Sequence, residues 1–503
     1  MKPHLLYADR DFDRLAEVPA GAGDLGVDLG LEDVWGAMGG GDAYLLDVAR
    51  RVTLASLHRV PEITFRQQVA GDFLAHPEGL EQLYQTAVDA VAAERRVWGL
   101  VSRHPAGTLH HAVEVLMVLM PAARLLRDLA AGQAAGWKSP GLSRFAATLQ
   151  DQLDDEYLAL ADSQVRTLRL EAGVLLSARL GAGGRASEYL LRQPGSGRVP
   201  WGERLGVRER SQHSFTVDPR DESGLRALAE LTDRGLAEVA NAVAQAADHV
   251  LAFFTALRFE LGFYLGCLRL HQSLSGRGLA VCWPVPAQPD PVRLQARGLY
   301  DLGLAIRSGK APVGNDLEAH GRPLLVVTGA NSGGKSTFLR SLGLGQLLSQ
   351  AGMFVGASEF TSSVATGVYT HFVRPEDDSM TRGRLADELD RMSRVADQVA
   401  PGGLVLMNES FSSTNELEGS EIGRQVVSAF LEAGVRVALV THFYELAAGL
   451  SRTPPRPALA LRAERLEDGR RTYRLLPAEP LRTAYGADLI SRMDSAGSAQ
   501  GHV

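Results

Sequence analysis

Between Leu324 and Leu339 the chain reads L-L-V-V-T-G-A-N-S-G-G-K-S-T-F-L: an apolar run, a glycine turn and the opening of a helix. Gly329, Gly334, Lys335 and Ser336 meet the pattern G-x-x-x-x-G-K-[ST]. Glycines let a backbone wrap a phosphate closely, and the N–H groups at a helix start present partial positive charge to it. Lys335 is expected to reach the β- and γ-phosphates of a nucleotide, and the Ser336 hydroxyl to ligate Mg²⁺. The expected nucleotide-binding segment is Gly329, Ala330, Asn331, Ser332, Gly333, Gly334, Lys335, Ser336 and Thr337. A turn of purely structural purpose would leave Lys335 without a role.

Two later apolar runs complete the chemistry. Gly403 to Glu409 (G-L-V-L-M-N-E) reads as a parallel strand buried on both faces, with Asn408 and Glu409 at its carboxyl end. Glu409 is placed to orient or deprotonate a water attacking a γ-phosphate. Val435 to His442 (V-R-V-A-L-V-T-H) reads as a third strand, ending in a histidine expected to sense the γ-phosphate from the far side.

These segments together resemble the ATPase domain of the MutS family. The family's T-G-P-N-M-G-G-K-S-T is matched by T-G-A-N-S-G-G-K-S-T from Thr328 to Thr337, with Asn331 kept. Its L-V-L-M-D-E corresponds to Leu404–Glu409, its T-H-[YF]-x-E-L to Thr441–Leu446, and its N-D-L to Asn315-Asp316-Leu317. The spacing from Gly352 to Phe372 also agrees with the family's. The resemblance implies an α/β P-loop (ABC-type) ATPase with ATP and Mg²⁺ as cofactors. It also implies Glu409 and His442 as catalytic residues, Ser336 and Asn408 at the metal, and a homodimer formed through the ATPase domains.

The departures carry their own expectations. Asn408 stands where the family has aspartate, so a charge that holds hydrated Mg²⁺ is replaced by a weaker amide acceptor. Hydrolysis is therefore expected to be slow rather than absent. In the segment from Asp377 to Ala386, Leu385 takes the place of the serine that reaches the partner subunit's nucleotide; a shift of register would put Ser379, Thr381 or Gly383 there instead. Pro312 replaces the aromatic residue placed against adenine. Thr414 and Gly419 keep the family's dimer-contact loop. The chain resembles a divergent branch near the bacterial MutS-related ATPases. No F-x-E triplet occurs in its first hundred residues, which argues against direct mismatch reading.

The elements that must position these groups follow from pattern. The 503 residues allow several domains and a substantial core. A net charge of −7 confines any nucleic-acid contact to a local basic face. The two cysteines, Cys267 and Cys282, lack metal-ligand spacing and read as reduced core residues of a cytoplasmic protein. The start turns acidic too soon for a signal peptide. No apolar run approaches membrane-spanning length, and Val113–Leu126, interrupted by Glu114, Pro121 and Arg124, reads as a buried helix.

Residues 1–283 read as an α-helical core and lever domain. Leu80–Leu100, Leu142–Leu180 and Leu225–Leu274 show helical spacing, with Gly235, Gly262 and Gly266 allowing a bend in the last. Residues 185–220 read as a basic loop or hairpin insertion, where Arg192, Arg198, Arg204, Arg208 and Arg210 interleave with Tyr189 and Trp201. Prolines from Trp283 to Pro291 mark the boundary. The ATPase domain is expected over 284–487 and a flexible tail over 488–503. The expected function is ATP-dependent DNA binding of the MutS type, a dimeric clamp switched by slow hydrolysis, with a role in DNA repair or recombination. The alternative is a ribosome- or RNA-associated clamp using the same engine; a membrane partner is not expected.

Overall fold

Helix-forming sequence runs through the first half of the chain, and the computed structural model shows why it is interrupted where it is. It describes residues 1–19, 21–97, 104–171, 173–181, 186–192, 216–374 and 383–482. The helices are α1 (Ala22–Leu29), α2 (Leu31–Gly39), α3 (Ala43–Leu54), α4 (Val60–Ala75), α5 (Pro77–Arg96), α6 (Pro105–Gln133), α7 (Pro140–Gln152) and α8 (Asp155–Leu168). A hairpin of β1 (Leu176–Leu180) and β2 (Ala186–Leu191) precedes α9 (Glu222–Ser275). The expected helical tract Leu142–Leu180 is thus corrected at its end: Leu176–Leu180 pairs as a strand, and Ala186–Leu191, expected in the basic loop, is its partner. Arg198, Arg204, Arg208, Arg210 and Trp201 lie outside the described residues.

Contacts gather the chain into two compact units. One holds Met1–Pro3, Glu81–Ala135 and Ser143–Arg258; the other holds His4–Leu80, Gly136–Leu142 and Phe259–Val503. This partition runs across the boundary expected near residue 283, because residues 4–80 pack with the α/β part. In the first unit Asp154 caps α8 by accepting from the Tyr157 N–H at 2.7 Å. The chain is not divided at Gly235, Gly262 or Gly266. α9 is one 54-residue helix, and Gly235 is where the Leu176 side chain packs, 2.4 Å from where a Cβ would stand.

Two helical stretches, Pro105–Gly136 and Glu222–Ser275, are long and apolar enough to cross a membrane by length and composition alone. That amends the expectation of no such run. Half and two thirds of their apolar windows are buried within the fold, where this apolarity is used in packing.

The second unit contains the α/β part: β3 (Val285–Ala287), β4 (Leu294–Leu299), α10 (Leu302–Ser308), β5 (Asn315–Glu318), β6 (Leu324–Gly329), α11 (Lys335–Gln350), β7 (Glu359–Ser363), β8 (Val368–Phe372), α12 (Arg384–Gln398), β9 (Leu404–Asn408), α13 (Glu416–Glu432), β10 (Arg436–Val440), α14 (Tyr444–Arg452), β11 (Ala458–Arg465) and β12 (Arg471–Pro477). They make two mixed sheets, one ordered β12-β11-β6-β10-β9-β8 and one ordered β3-β7-β4-β5. In the larger sheet only β12 runs antiparallel. Alternate residues Leu324, Val326, Val405, Met407, Val437 and Leu439 pack into one cluster with α13 and α14. Each such buried side chain contributes roughly 1.5–3 kcal/mol. The helix α11 lies against strands of the same sheet. Its buried Gln350 amide bonds the carbonyls of Leu57 and Ala365 at 2.9 and 2.8 Å, joining an N-terminal segment to the sheet.

A second joint holds the N-terminal segment. The Glu260 carboxyl accepts from the Leu5 and Leu6 N–H groups at 2.6 and 3.2 Å, and Tyr264 donates to the Leu5 carbonyl at 2.6 Å. Arg66, fully buried, donates to the carbonyls of Leu6 and Ala351 at 3.1 and 3.2 Å. Burial pushes the Glu260 pKa up from 4.5 to about 7, against the pull of those two N–H groups.

The folded chain therefore binds a proton at Glu260 more tightly than the unfolded chain does. Stability from this group is present below pH 4.5 and is lost as pH rises to about 7. In Glu260→Gln the melting temperature should fall less between about pH 5 and about pH 8 than in the parent, read by thermal unfolding across that range. Parallel pH profiles would contradict the protonation of this buried acid.

Candidate functional site

The parallel ladders bring three strand ends to one edge of the larger sheet. Val440 of β10 pairs with Asn408 of β9 on one side and with Val327 of β6 on the other. The glycine turn after β6 therefore lies beside Glu409 and His442. Gly329 has φ 115° and Gly334 φ 91°. A Cβ at Gly329 would stand 2.8 Å from the Ala463 nitrogen of β11, and one at Gly333 2.8 Å from the Ala330 oxygen. Ser332 holds a left-handed φ of 57° without being glycine. Such strain costs on the order of 1–3 kcal/mol and persists only where the surroundings impose it. Arg471 of β12 helps impose it by donating from Nε to the Asn331 carbonyl at 2.7 Å.

Lys335 is buried, and its Nζ donates to the Gly329 carbonyl at 2.9 Å while facing Glu409 Oε1 at 3.9 Å. Burial lowers its pKa; the Glu409 charge opposes that shift and Arg471 adds to it. The Ser336 hydroxyl donates to Asn408 Oδ1 at 2.9 Å, joining both candidate metal residues. This oxygen-only pair suits a hard cation whose remaining ligands are phosphate oxygens and water. Among the described residues no group of three or more His, Cys, Asp or Glu forms a metal cluster.

Glu409 has φ 54°, a second non-glycine residue in the left-handed region. Its backbone N–H donates to the Val440 carbonyl at 2.9 Å, so the turn is pinned to β10. Its Oε2 receives the His442 backbone N–H at 3.0 Å and meets His442 Nδ1 at 2.6 Å. The two expected catalytic residues are thus one hydrogen-bonded pair rather than groups on opposite sides. Burial would raise the Glu409 pKa, but the bond from His442 and the charges of His442 and Lys335 bring it below its ordinary value. The bond to Glu409 raises the His442 pKa against partial burial and the Lys335 charge.

A cleft of about 570 Å³ opens over the first turn of α11, lined by Asn331, Lys335, Glu409, Pro312, Asn315 and Tyr473 among others. Tyr473 was not foreseen. It is half exposed with φ 61°, and Asn315 sets its place by donating to its carbonyl at 3.3 Å and accepting from the Leu475 N–H at 2.7 Å. Pro312 lines the same cleft. No short motif around Tyr473 signalled this, because β12 reaches the cleft only through sheet pairing.

Other expected residues lie differently. Asp377 to Arg382, with Ser379 and Thr381, lies outside the described residues, while Gly383 precedes α12. Leu385 packs against the chain's own core cluster. Thr414 donates to Glu418, and Gly419 is packed so closely that a Cβ would meet Phe443 at 2.5 Å. Cys267 is buried and Cys282 partly so, both as free thiols.

Comparison with known proteins gives two family models. One, described as the MutS2 N-terminal domain, matches residues 58–277; the other, described as MutS domain V, matches residues 325–493. The DNA mismatch repair protein MutS of Thermus aquaticus is 35% identical over 159 residues, covering 30% of this chain and 19% of that protein. The protein of the same name from Thermus thermophilus is 32% identical over 195 residues, 37% of this chain and 24% of that protein. That from Chloroflexus aurantiacus is 31% identical over 178 residues, 32% of this chain and 18% of that protein. The chain thus spans between 18% and 24% of the length of these curated relatives.

The Glu409–His442 pair yields a titration test. Removing the carboxylate in Glu409→Gln takes away the main cause that raises the His442 pKa, leaving burial and Lys335, which lower it, against the smaller opposing charge of Glu416. The His442 resonance, assigned by its loss in His442→Gln, should titrate above an ordinary histidine in the parent and below one in Glu409→Gln. An unmoved midpoint would mean the pair does not form in solution.

Proposed function

We propose that this chain, which belongs to the MutS family, is an ATP-binding and slowly hydrolysing switch that operates a dimeric DNA-contacting clamp. The observation that carries the reading is the convergence of Lys335, Ser336 and Glu409 on one cleft at the carboxyl ends of β6, β9 and β10, with Asn408 and His442 hydrogen-bonded to the last two. Ligands in parallel α/β sheets bind at such an edge.

In this reading the backbone N–H groups of the glycine turn and of the first turn of α11 receive the phosphates. Lys335 exchanges its carbonyl partners for phosphate oxygens. The Ser336 hydroxyl and the Asn408 amide hold Mg²⁺, which when bound neutralises phosphate charge. Glu409, kept ionised by His442, takes a proton from the attacking water. His442 holds that carboxylate in one orientation, because both its backbone and its ring bond the same oxygen. Tyr473 offers a face for the base, at the cleft wall where Pro312 cannot stack. Asn408 carries no charge, which is the reason for slow turnover.

ATP-driven closure of two such domains would move the helical part of the chain, with DNA as its partner. The basic stretch 185–220 is the proposed grip. Residues 284–487 are the proposed ATPase module, in a cytoplasmic protein with reduced cysteines.

Lys335→Ala should weaken ATP binding roughly 10- to 100-fold, as loss of a charge-assisted bond implies. Glu409→Gln should retain binding while turnover falls roughly 10²- to 10⁴-fold. Equilibrium binding and phosphate release measure the two. Parental affinity in the first variant removes the nucleotide site, and parental turnover in the second removes Glu409 as base.

Changing Arg204, Arg208 and Arg210 together to Ala should weaken DNA binding with little sequence dependence, since arginines on such a stretch contact phosphates. The salt slope should flatten by roughly 0.7–0.9 per lost contact. An unchanged slope excludes this stretch as the grip. Tighter binding to ribosomal RNA than to DNA in the parent would favour the RNA-associated clamp instead.

A further inference from the structure

Ser410 follows the proposed base, and the residues on either side of it, Glu409 and Phe411, have φ 54° and 64°. Neither is glycine, so the surroundings hold both in the left-handed region. Ser410 itself is buried, and its hydroxyl lies 2.7 Å from His371 Nδ1 on β8. His371, fully buried, reaches from Nε2 to the Glu388 carbonyl of α12 at 2.9 Å. Its ring lies against Phe411, centroids 5.6 Å apart.

The protons in this chain of bonds are set by chemistry. Burial lowers the His371 pKa to about 4; the Glu388 carbonyl and Asp24 of α1 pull it up, and Arg391 of α12 pushes it down. The ring is therefore neutral near pH 7. A carbonyl can only accept, so Nε2 carries the proton and Nδ1 is bare. The Ser410 hydroxyl then donates to Nδ1 at 2.7 Å, the nearer of its two acceptors, the other being the His371 backbone carbonyl at 3.0 Å. Burial also raises the Glu388 carboxyl pKa, opposed by the Phe411 backbone N–H that it faces.

We propose that His371 is a positioning residue: through Ser410 it fixes the turn that aims Glu409, and through Glu388 it makes that aim depend on α12. The inference rests on Glu409 being the base of the proposed hydrolysis. None of these three residues lines the nucleotide cleft, so their effect on turnover is exerted through the backbone at 409–411. The buried histidine is thus a mechanical link between α12 and the turn that carries the base rather than a participant in proton transfer.

The test separates aim from general damage. Ser410→Ala removes one hydroxyl and should lower turnover roughly 10- to 100-fold while leaving ATP affinity as in the parent and lowering the melting temperature only modestly, since small misplacements of a catalytic group act on the chemical step. His371→Asn keeps an acceptor near the place of Nδ1 and should retain most of the turnover, whereas His371→Phe should lose it. Ser410→Ala combined with His371→Phe should be no worse than the weaker single variant, because both break one path. Amide hydrogen exchange gives a second measurement that needs no nucleotide: residues 409–413 should lose protection in Ser410→Ala while 329–336 keep theirs. Parental turnover with parental exchange overturns the inference. So does a loss of turnover matched by equal losses of ATP affinity and stability. If the parent binds ATP without hydrolysing it, the proposed function fails separately, and unchanged exchange at 409–413 would still sink the link.

Discussion

The register of β10 between β6 and β9 is the constraint on which the site depends. Its ladder aligns Val440 with Val327 and with Asn408. A slip of one residue would turn every side chain of the strand to the other face. Leu439 and Val437 would then leave the core cluster they share with Leu324 and Val405. Hydrophobic burial therefore enforces the alignment that brings the glycine turn, Glu409 and His442 to one edge. The backbone bond from Glu409 to Val440 is the last rung of that ladder and the first contact of the site.

Once the strand ends are level, polar groups determine the fine geometry. Glu409 accepts twice from His442 and faces Lys335, so its charge is compensated despite burial. Its left-handed backbone is unfavourable alone and survives because the neighbouring Ser410 is bound by His371. The same logic recurs at Arg66 and Glu260, where buried polar groups tie the N-terminal segment to α11 and α9. Each of these groups is costly to bury and is tolerated because it is hydrogen-bonded.

The Ser336–Asn408 contact shows how a substitution at a charged position is absorbed. A neutral amide accepts the serine hydroxyl at 2.9 Å at the buried end of β9. What changes is the electrostatic field: Glu409 is the carboxylate facing Lys335, and its partner His442 competes for the same charge. The site carries one negative charge fewer than the motif it resembles.

The glycine turn, the Asn408–Glu409 strand end and the 441–446 segment were legible in sequence because each is local: a few consecutive residues carry both the strand and the chemistry. The family assignment came from the same stretches. The helical first part was legible from periodicity, except at Leu176–Leu180, where pairing with Ala186–Leu191 overrode helical spacing. Gly235 allowed a bend in the sequence and serves close packing in the fold, because a glycine needed for packing and one needed for a kink look alike in sequence. Tertiary structure alone decided that Tyr473 and Arg471 border the turn, that residues 4–80 join the α/β unit, and that His371 supports Ser410. These partners are 39 to 158 residues apart in the chain. Such pairings are fixed by sheet order and burial, which no local pattern encodes.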